Sequence, residues 1–188
     1  MSDAVYPNPT STALLVIDIQ ERLIGAMEPE SAQRMVRQTA LLIAAAAEFG
    51  WPVVYSEQYP KGLGPTVASL RAPLEAGGAR RVEKVEFSCF RNASFAAEVM
   101  PMLPNHIIVV GMEAHVCVLQ TVTDLQARGH QIFVPLDAVS SRQADARDNG
   151  LALMARAGAV VTNAESVVFY ALQRAGTERF KRLQALIK

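Results

Sequence analysis

Six short runs that read as strands, at residues 13–17, 52–56, 80–85, 107–110, 131–135 and 159–162, alternate with segments of helical spacing, and this alternation limits what the chain can fold into. Runs such as Leu14-Leu15-Val16-Ile17 and Ile107-Ile108-Val109-Val110 are apolar at every position, which suits strands buried on both faces. The spacing predicts helices over 29–49, closed by Gly50, over 66–76 and 93–103, over 114–128, closed by Gly129, and over 143–157, closed by Gly158. The tail from Glu165 is mostly helical, and residues 59–65, with two glycines and two prolines, read as a loop. Strand–helix alternation gives a parallel sheet with helices on both faces, and right-handed crossovers make it a three-layer α/β/α fold of Rossmann-like order. The 188 residues suit one domain over 1–188, and a 51% hydrophobic composition supplies a sizeable core.

Charge narrows the partners. Lys plus Arg and Asp plus Glu each number 18, so no net field draws a polyanion, and nucleic acid is not an expected partner. The first twelve residues lack the basic start and apolar run of a signal peptide. Residues 41–47, the longest apolar stretch, are far too few to cross a bilayer. The expectation is a cytoplasmic chain without a membrane partner, whose two cysteines, Cys89 and Cys117, are free thiols.

In open parallel sheets, ligands bind beyond the carboxyl ends of the strands where strand order reverses. Three polar residues stand at such ends. Asp18 follows the first run and has no glycine-rich turn after it, which argues against a dinucleotide site. Lys84 stands at the end of the third strand. Cys117 follows the fourth, in or near the first turn of the next helix, where free N–H groups and the helix dipole favour a thiolate. A nearby Lys84 favours it further, whereas Asp18 pulls the other way. Each residue alone has an ordinary structural reading: a cap, a solvated lysine, an inert buried thiol. Converging on one cleft, they are a base, a cation and a nucleophile, the set covalent catalysis needs.

The segments Leu14-Leu15-Val16-Ile17-Asp18-Ile19-Gln20, Glu83-Lys84-Val85-Glu86-Phe87-Ser88-Cys89-Phe90 and Gly111-Met112-Glu113-Ala114-His115-Val116-Cys117-Val118 resemble, in order and spacing, the three signature segments of the isochorismatase-like cysteine hydrolases. The resemblance implies a six-stranded parallel sheet, a Cys117-Asp18-Lys84 triad, a cis peptide at Met112–Glu113, an oxyanion hole from the backbone N–H groups of Glu113 and Cys117, and homo-oligomers. Apolar residues Val167, Val168, Phe169 and Tyr170 are the candidate interface. The implied activity is hydrolysis of a small amide or related carbonyl compound through a thioester.

The chain departs from the metal-binding nicotinamidases of this superfamily. Tyr59 stands where their first histidine is expected, and no histidine precedes His106, so no catalytic metal and no cofactor are expected. Isochorismatases proper lack the cysteine, and the segment from Glu57 to Thr66 resembles instead the isochorismatase-domain hydrolases of undefined substrate. Gln20, Tyr59, Phe87, Phe90 and His115 are pocket candidates, because each lies near one of these strand ends. Two other activities remain open at this point: enol-ether hydrolysis by Asp18 and Lys84 with Cys117 as bystander, and a non-catalytic thiol module for redox or binding.

Overall fold

The computed structural model describes residues 5–187. In chain order the elements are β1 (Thr12–Ile17), α1 (Glu21–Ile24), α2 (Pro29–Phe49), β2 (Val53–Gln58), α3 (Pro60–Leu63), α4 (Ala68–Ala76), β3 (Arg80–Lys84), α5 (Ala93–Val99), β4 (His106–Met112), α6 (Leu119–Gln126), β5 (Gln131–Pro135), β6 (Val139–Ser140), α7 (Ala144–Arg156), β7 (Val160–Thr162), α8 (Ala164–Leu172) and α9 (Glu178–Gln184). All pairings within the sheet are parallel, and the order is β3-β2-β1-β4-β5-β7, with β6 beside the end of β4.

Continuous apolar runs produce this architecture because alternate residues feed opposite layers. Leu14 and Val16 of β1, with Ile108 and Val110 of β4, pack on Met35 and Leu42 of α2 and Val167 and Val168 of α8. Leu15, Ile17, Ile107 and Val109 face the other way, onto Phe95 of α5, Val122 and Leu125 of α6 and Met154 of α7. Helix α2 starts where Glu28 accepts hydrogen bonds from the N–H groups of Glu30 and Ser31 and Pro29 fills the first position, and it stops at Gly50, whose φ is +70°. No described helix is long and apolar enough to cross a membrane.

The expected loop over 59–65 holds the short helix α3, and the expected elements shift in four further places. The sheet has a seventh strand. After β5 the chain turns through Leu136–Ala138 and two residues of β6 pair with Gly111 and Met112, a stretch too short to carry a periodic signal. The second strand runs on to Gln58, because Glu57 and Gln58 pair with Glu83 and Lys84 despite their polarity. The helix expected over 93–103 ends at Val99, ahead of Pro101, which cannot donate to the helical ladder. The helix expected from Ala114 opens instead as a wide π-turn, Ala114–Val118, and becomes α-helical at Leu119. Such turns recur at functional sites.

Candidate active site

The sheet order sets the ends of β1 and β4 side by side and puts β2 between β1 and β3. Asp18, directly after β1, is fully buried and adopts φ +52°, a left-handed conformation that costs a residue with a Cβ about 1 kcal/mol. Its N–H donates to the Ser56 carbonyl, and its own carbonyl accepts from the Gln20 N–H at 2.8 Å. This tight turn aims the carboxylate across the strand ends.

Lys84 closes β3, and its side chain crosses β2 to reach that carboxylate. Its Nζ donates to Asp18 Oδ2 at 2.6 Å and to Gln58 Oε1 at 2.7 Å, and the side chains of both Lys84 and Asp18 are wholly buried. Ser56 Oγ donates to Asp18 Oδ1 at 2.7 Å. Cys117 lies in the π-turn after β4, close enough to Asp18 and Lys84 for both charges to act on its thiol. The three residues expected at the site therefore share one buried cluster with Asp18 at its centre.

The electrostatics correct one expectation. Burial pushes the Cys117 thiol well above its usual pKa, the Asp18 charge pushes it further, and Lys84 acts in the opposite sense without prevailing. Cys117 rests as a neutral thiol and not as the thiolate that a helix start suggests. Its place in a wide turn under a carboxylate, not on an open helix terminus, is the reason. Burial works against the Lys84 ammonium, but the Asp18 charge beside it holds its pKa above the ordinary lysine value.

The turn that carries Cys117 is fastened from the β6–α7 side. Glu113 accepts from the N–H and Nε of Arg142 at 3.0 and 3.1 Å, and His115 Nδ1 lies 3.0 Å from Ser141 Oγ. The Met112–Glu113 peptide is cis. Gly111 has φ +121°, and a Cβ there would stand 2.0 Å from the Ile17 carbonyl oxygen, so only glycine lets β4 approach β1 this closely one residue before Asp18.

The other candidates scatter. Tyr59 and Phe87 are each 55% exposed, and Tyr59 helps line a cleft of about 350 Å³ with Pro60, Lys61, Glu83, Lys84, Val85 and Asn92. That cleft touches Lys84 but neither Asp18 nor Cys117. Gln20 is buried with its carboxamide committed: Nε2 donates to the carbonyls of Gln58 and Gly64, and Oε1 accepts from the Gln58 N–H. Phe90 is buried edge-on against Phe95, with the Arg128 guanidinium over its ring. Gln20 and Phe90 thus build the surroundings: Gln20 ties the 58–64 segment to the end of β1, and Phe90 packs on α5. Val167 and Val168 are core, so of the candidate interface only Phe169 and Tyr170 reach the surface.

Ser56 and Gln58 were not legible as site residues. The available signal was their spacing of two in Ser56-Glu57-Gln58, which places them on one face once the strand is extended past Ser56. Among the described residues, no group of three His, Cys, Asp or Glu side chains converges as a metal site.

The isochorismatase domain model matches residues 12–166. The chain is 37% identical over 183 residues to an isochorismatase domain-containing protein 1 from Salmo salar, covering 96% of this chain and 62% of that protein's length. It is 34% identical over 182 residues to the isochorismatase domain-containing protein 2A of Mus musculus, covering 96% of this chain and 84% of that one. A solved structure described as the MAR1 ribonuclease of Caenorhabditis elegans superposes with a TM-score of 0.87 at 36% identity, covering 97% of this chain and 92% of that one. On the match across its length, its sheet order and these relatives, the chain belongs to the isochorismatase-like hydrolase family.

Proposed function

We propose that the protein is a cysteine-dependent hydrolase of a small amide or related carbonyl substrate, acting through a thioester on Cys117. One observation carries this reading: the Asp18 carboxylate that holds the buried Lys84 ammonium at 2.6 Å also lies close enough to the Cys117 thiol for its charge to push the thiol pKa up. Asp18 takes the thiol proton as sulfur attacks the carbonyl carbon, so the thiolate need not exist beforehand. Lys84 offsets the negative charge wherever it sits during the transfer. The backbone N–H groups of Glu113 and Cys117 are the proposed donors to the tetrahedral oxyanion. Asp18 then passes its proton to the leaving nitrogen as the C–N bond breaks, and afterwards activates the water that hydrolyses the thioester.

Tyr59, Phe87 and His115 remain the proposed substrate contacts, and the exposed Phe169 and Tyr170 the proposed contact between like chains. RNA, which the name of the worm protein implies for that protein, ranks lower here. A chain of zero formal charge offers no field for a polyanion, and Arg81 is paired with Glu57 and Glu83 beside the cleft.

A screen of small primary amides, read out by ammonia release, with a short RNA in parallel, tests the reading. Turnover of an amide by the wild type and its loss in Cys117→Ser is the expected result. RNA cleavage that survives Cys117→Ser, with no amide turned over, would overturn it.

A further inference from the structure

Strand β2 lies between the strand that carries the base and the strand that carries the cation, and it gives one side chain to each. Ser56 pairs in register with Ile17, the residue before Asp18, and Gln58 pairs with Lys84. Their spacing of two puts both on the face that the Lys84 side chain crosses. Both have their polar groups fixed by further partners.

Ser56 donates its one hydroxyl proton to Asp18 Oδ1 at 2.7 Å, and the Cys89 thiol lies 3.7 Å behind it, donating to the same hydroxyl oxygen. Cys89 is fully buried, and burial, the largest influence on it, holds its thiol up at about 11, so it stays protonated and keeps the Ser56 proton turned toward Asp18. Gln58 is fixed from three sides. Its Nε2 donates to the Val85 carbonyl at 2.8 Å, and its backbone N–H and carbonyl are both taken by the Gln20 carboxamide. The oxygen Oε1 is left to accept from Lys84 at 2.7 Å.

We infer that Ser56 and Gln58 are positioning residues. They form a clamp from β2 that fixes Asp18 under Cys117 and keeps the Lys84 ammonium on Asp18, with Cys89 orienting Ser56. The inference rests on the proposed roles of Asp18 and Cys117. Without Ser56, Asp18 loses the donor to Oδ1 and can rotate about its side-chain bonds. Without Gln58, the Lys84 ammonium loses one of its two fixed acceptors and its reach across β2 loosens. Misplacing a reacting group by ~1 Å can cost about 10²-fold in rate.

The test compares wild type, S56A, S56T, Q58L, D18N and C117A as intact folded proteins. One arm follows acylation by p-nitrophenyl acetate as a function of pH. The other follows proton exchange of the Lys84 ammonium by NMR, with its signal assigned from K84M. The expected result is that S56A and Q58L slow acylation by about 10–100-fold with half-saturation changed by less than about twofold. S56A moves the acid limb of the pH profile to higher pH, because the carboxylate has lost a donor, and S56T restores most of the rate. Q58L speeds Lys84 exchange by about tenfold or more. A merely structural role for these residues moves neither the acid limb nor the exchange.

If C117A and D18N are crippled while S56A and Q58L match wild type in both arms, the clamp is wrong and the triad stands. If C117A or D18N acylates like wild type, the reading of function is wrong, and Lys84 exchange decides the clamp by itself: faster in Q58L upholds it, unchanged overturns it. If Q58L does not fold, Q58E keeps the acceptor for Lys84. Slow exchange is then expected to persist, and its loss counts against the clamp.

Discussion

Lys84→Met should cost the fold as well as the reaction. A solvated lysine could be replaced with little effect, but here neither side chain of the Lys84–Asp18 pair is exposed. Removing one member of a buried pair leaves the other charge without compensation, at about 3–5 kcal/mol. Ser56 still donates to the stranded carboxylate, and such a bond to a charged group is worth about 1.5–3 kcal/mol, so the lower end of the range, about 3 kcal/mol, is expected. Against a total stability of about 5–15 kcal/mol this is a large fraction, and for a chain of this size it corresponds to a fall in Tm of about 6–12 °C. Turnover should fall by about two to three orders of magnitude at temperatures where the variant is folded. Urea unfolding of wild type, K84M, D18N and D18N/K84M closes a double-mutant cycle. Each single variant should lose about 3 kcal/mol with m unchanged, and the double variant should lose much less than the sum, because it buries no unpaired charge. K84M within about 1 kcal/mol of wild type, or a coupling near zero, would refute the claim that the two charges stabilise the fold only as a pair.

Three further outcomes follow from the same cluster. The difference in thiolate absorbance between wild type and Cys117→Ser should be absent near neutral pH and emerge only in the alkaline range, because burial and then Asp18 hold the Cys117 proton; a neutral-pH thiolate band contradicts that assignment. Stability should decline as pH rises from about 9 toward 11. The buried Cys89 thiol has its folded pKa raised from 9.0 to about 11, so its contribution is complete below the unfolded value and is lost as pH passes through the folded one. Lys84, raised as well, acts in the same direction, and Cys89→Ala should flatten the decline in a urea-midpoint-versus-pH series. Activity should survive exhaustive chelation, since Tyr59 stands where the first histidine of a metal pair is expected and no histidine precedes His106; loss on chelation with recovery on adding zinc or iron is the contrary result.

The layers and strand order were legible because every central strand is apolar at consecutive positions, and a parallel sheet covered on both faces is the arrangement that buries such runs. Two of the three polar strand ends were legible for the same reason: Asp18 and Cys117 each follow a run that has no other use for a charge or a nucleophile. Lys84 was legible only through the resemblance, since nothing in Arg80-Arg81-Val82-Glu83-Lys84 distinguishes a buried lysine from the exposed arginines beside it. What sequence could not convey was the sum of opposing influences at Cys117. A helix start and a cation favour the thiolate, burial and a carboxylate oppose it, and only coordinates say how dry the thiol is. Ser56 and Gln58 stayed hidden because polar residues at a strand end read as the start of a loop, until register with Ile17 and Lys84 shows that the strand continues.

The resting charges of the cluster bear on how it can work while so deeply buried. Creating a thiolate and a separate cation in a dry interior is costly. In this cluster the charges already exist as Asp18 and Lys84, paired at 2.6 Å. Moving the Cys117 proton to Asp18 creates no new charge; it shifts one negative charge from oxygen to sulfur while Lys84 remains beside both. In the proposed reaction the transfer would therefore avoid the penalty of separating charge and would be completed only as sulfur attacks a carbonyl carbon, whose oxygen would then take up the charge at the proposed backbone donors. A free thiolate would sit ready for any electrophile, whereas a thiol held by Asp18 reacts when a substrate is seated. In the proposed mechanism neutrality at rest is a working feature of the site, and it depends on Lys84 staying where Gln58 holds it.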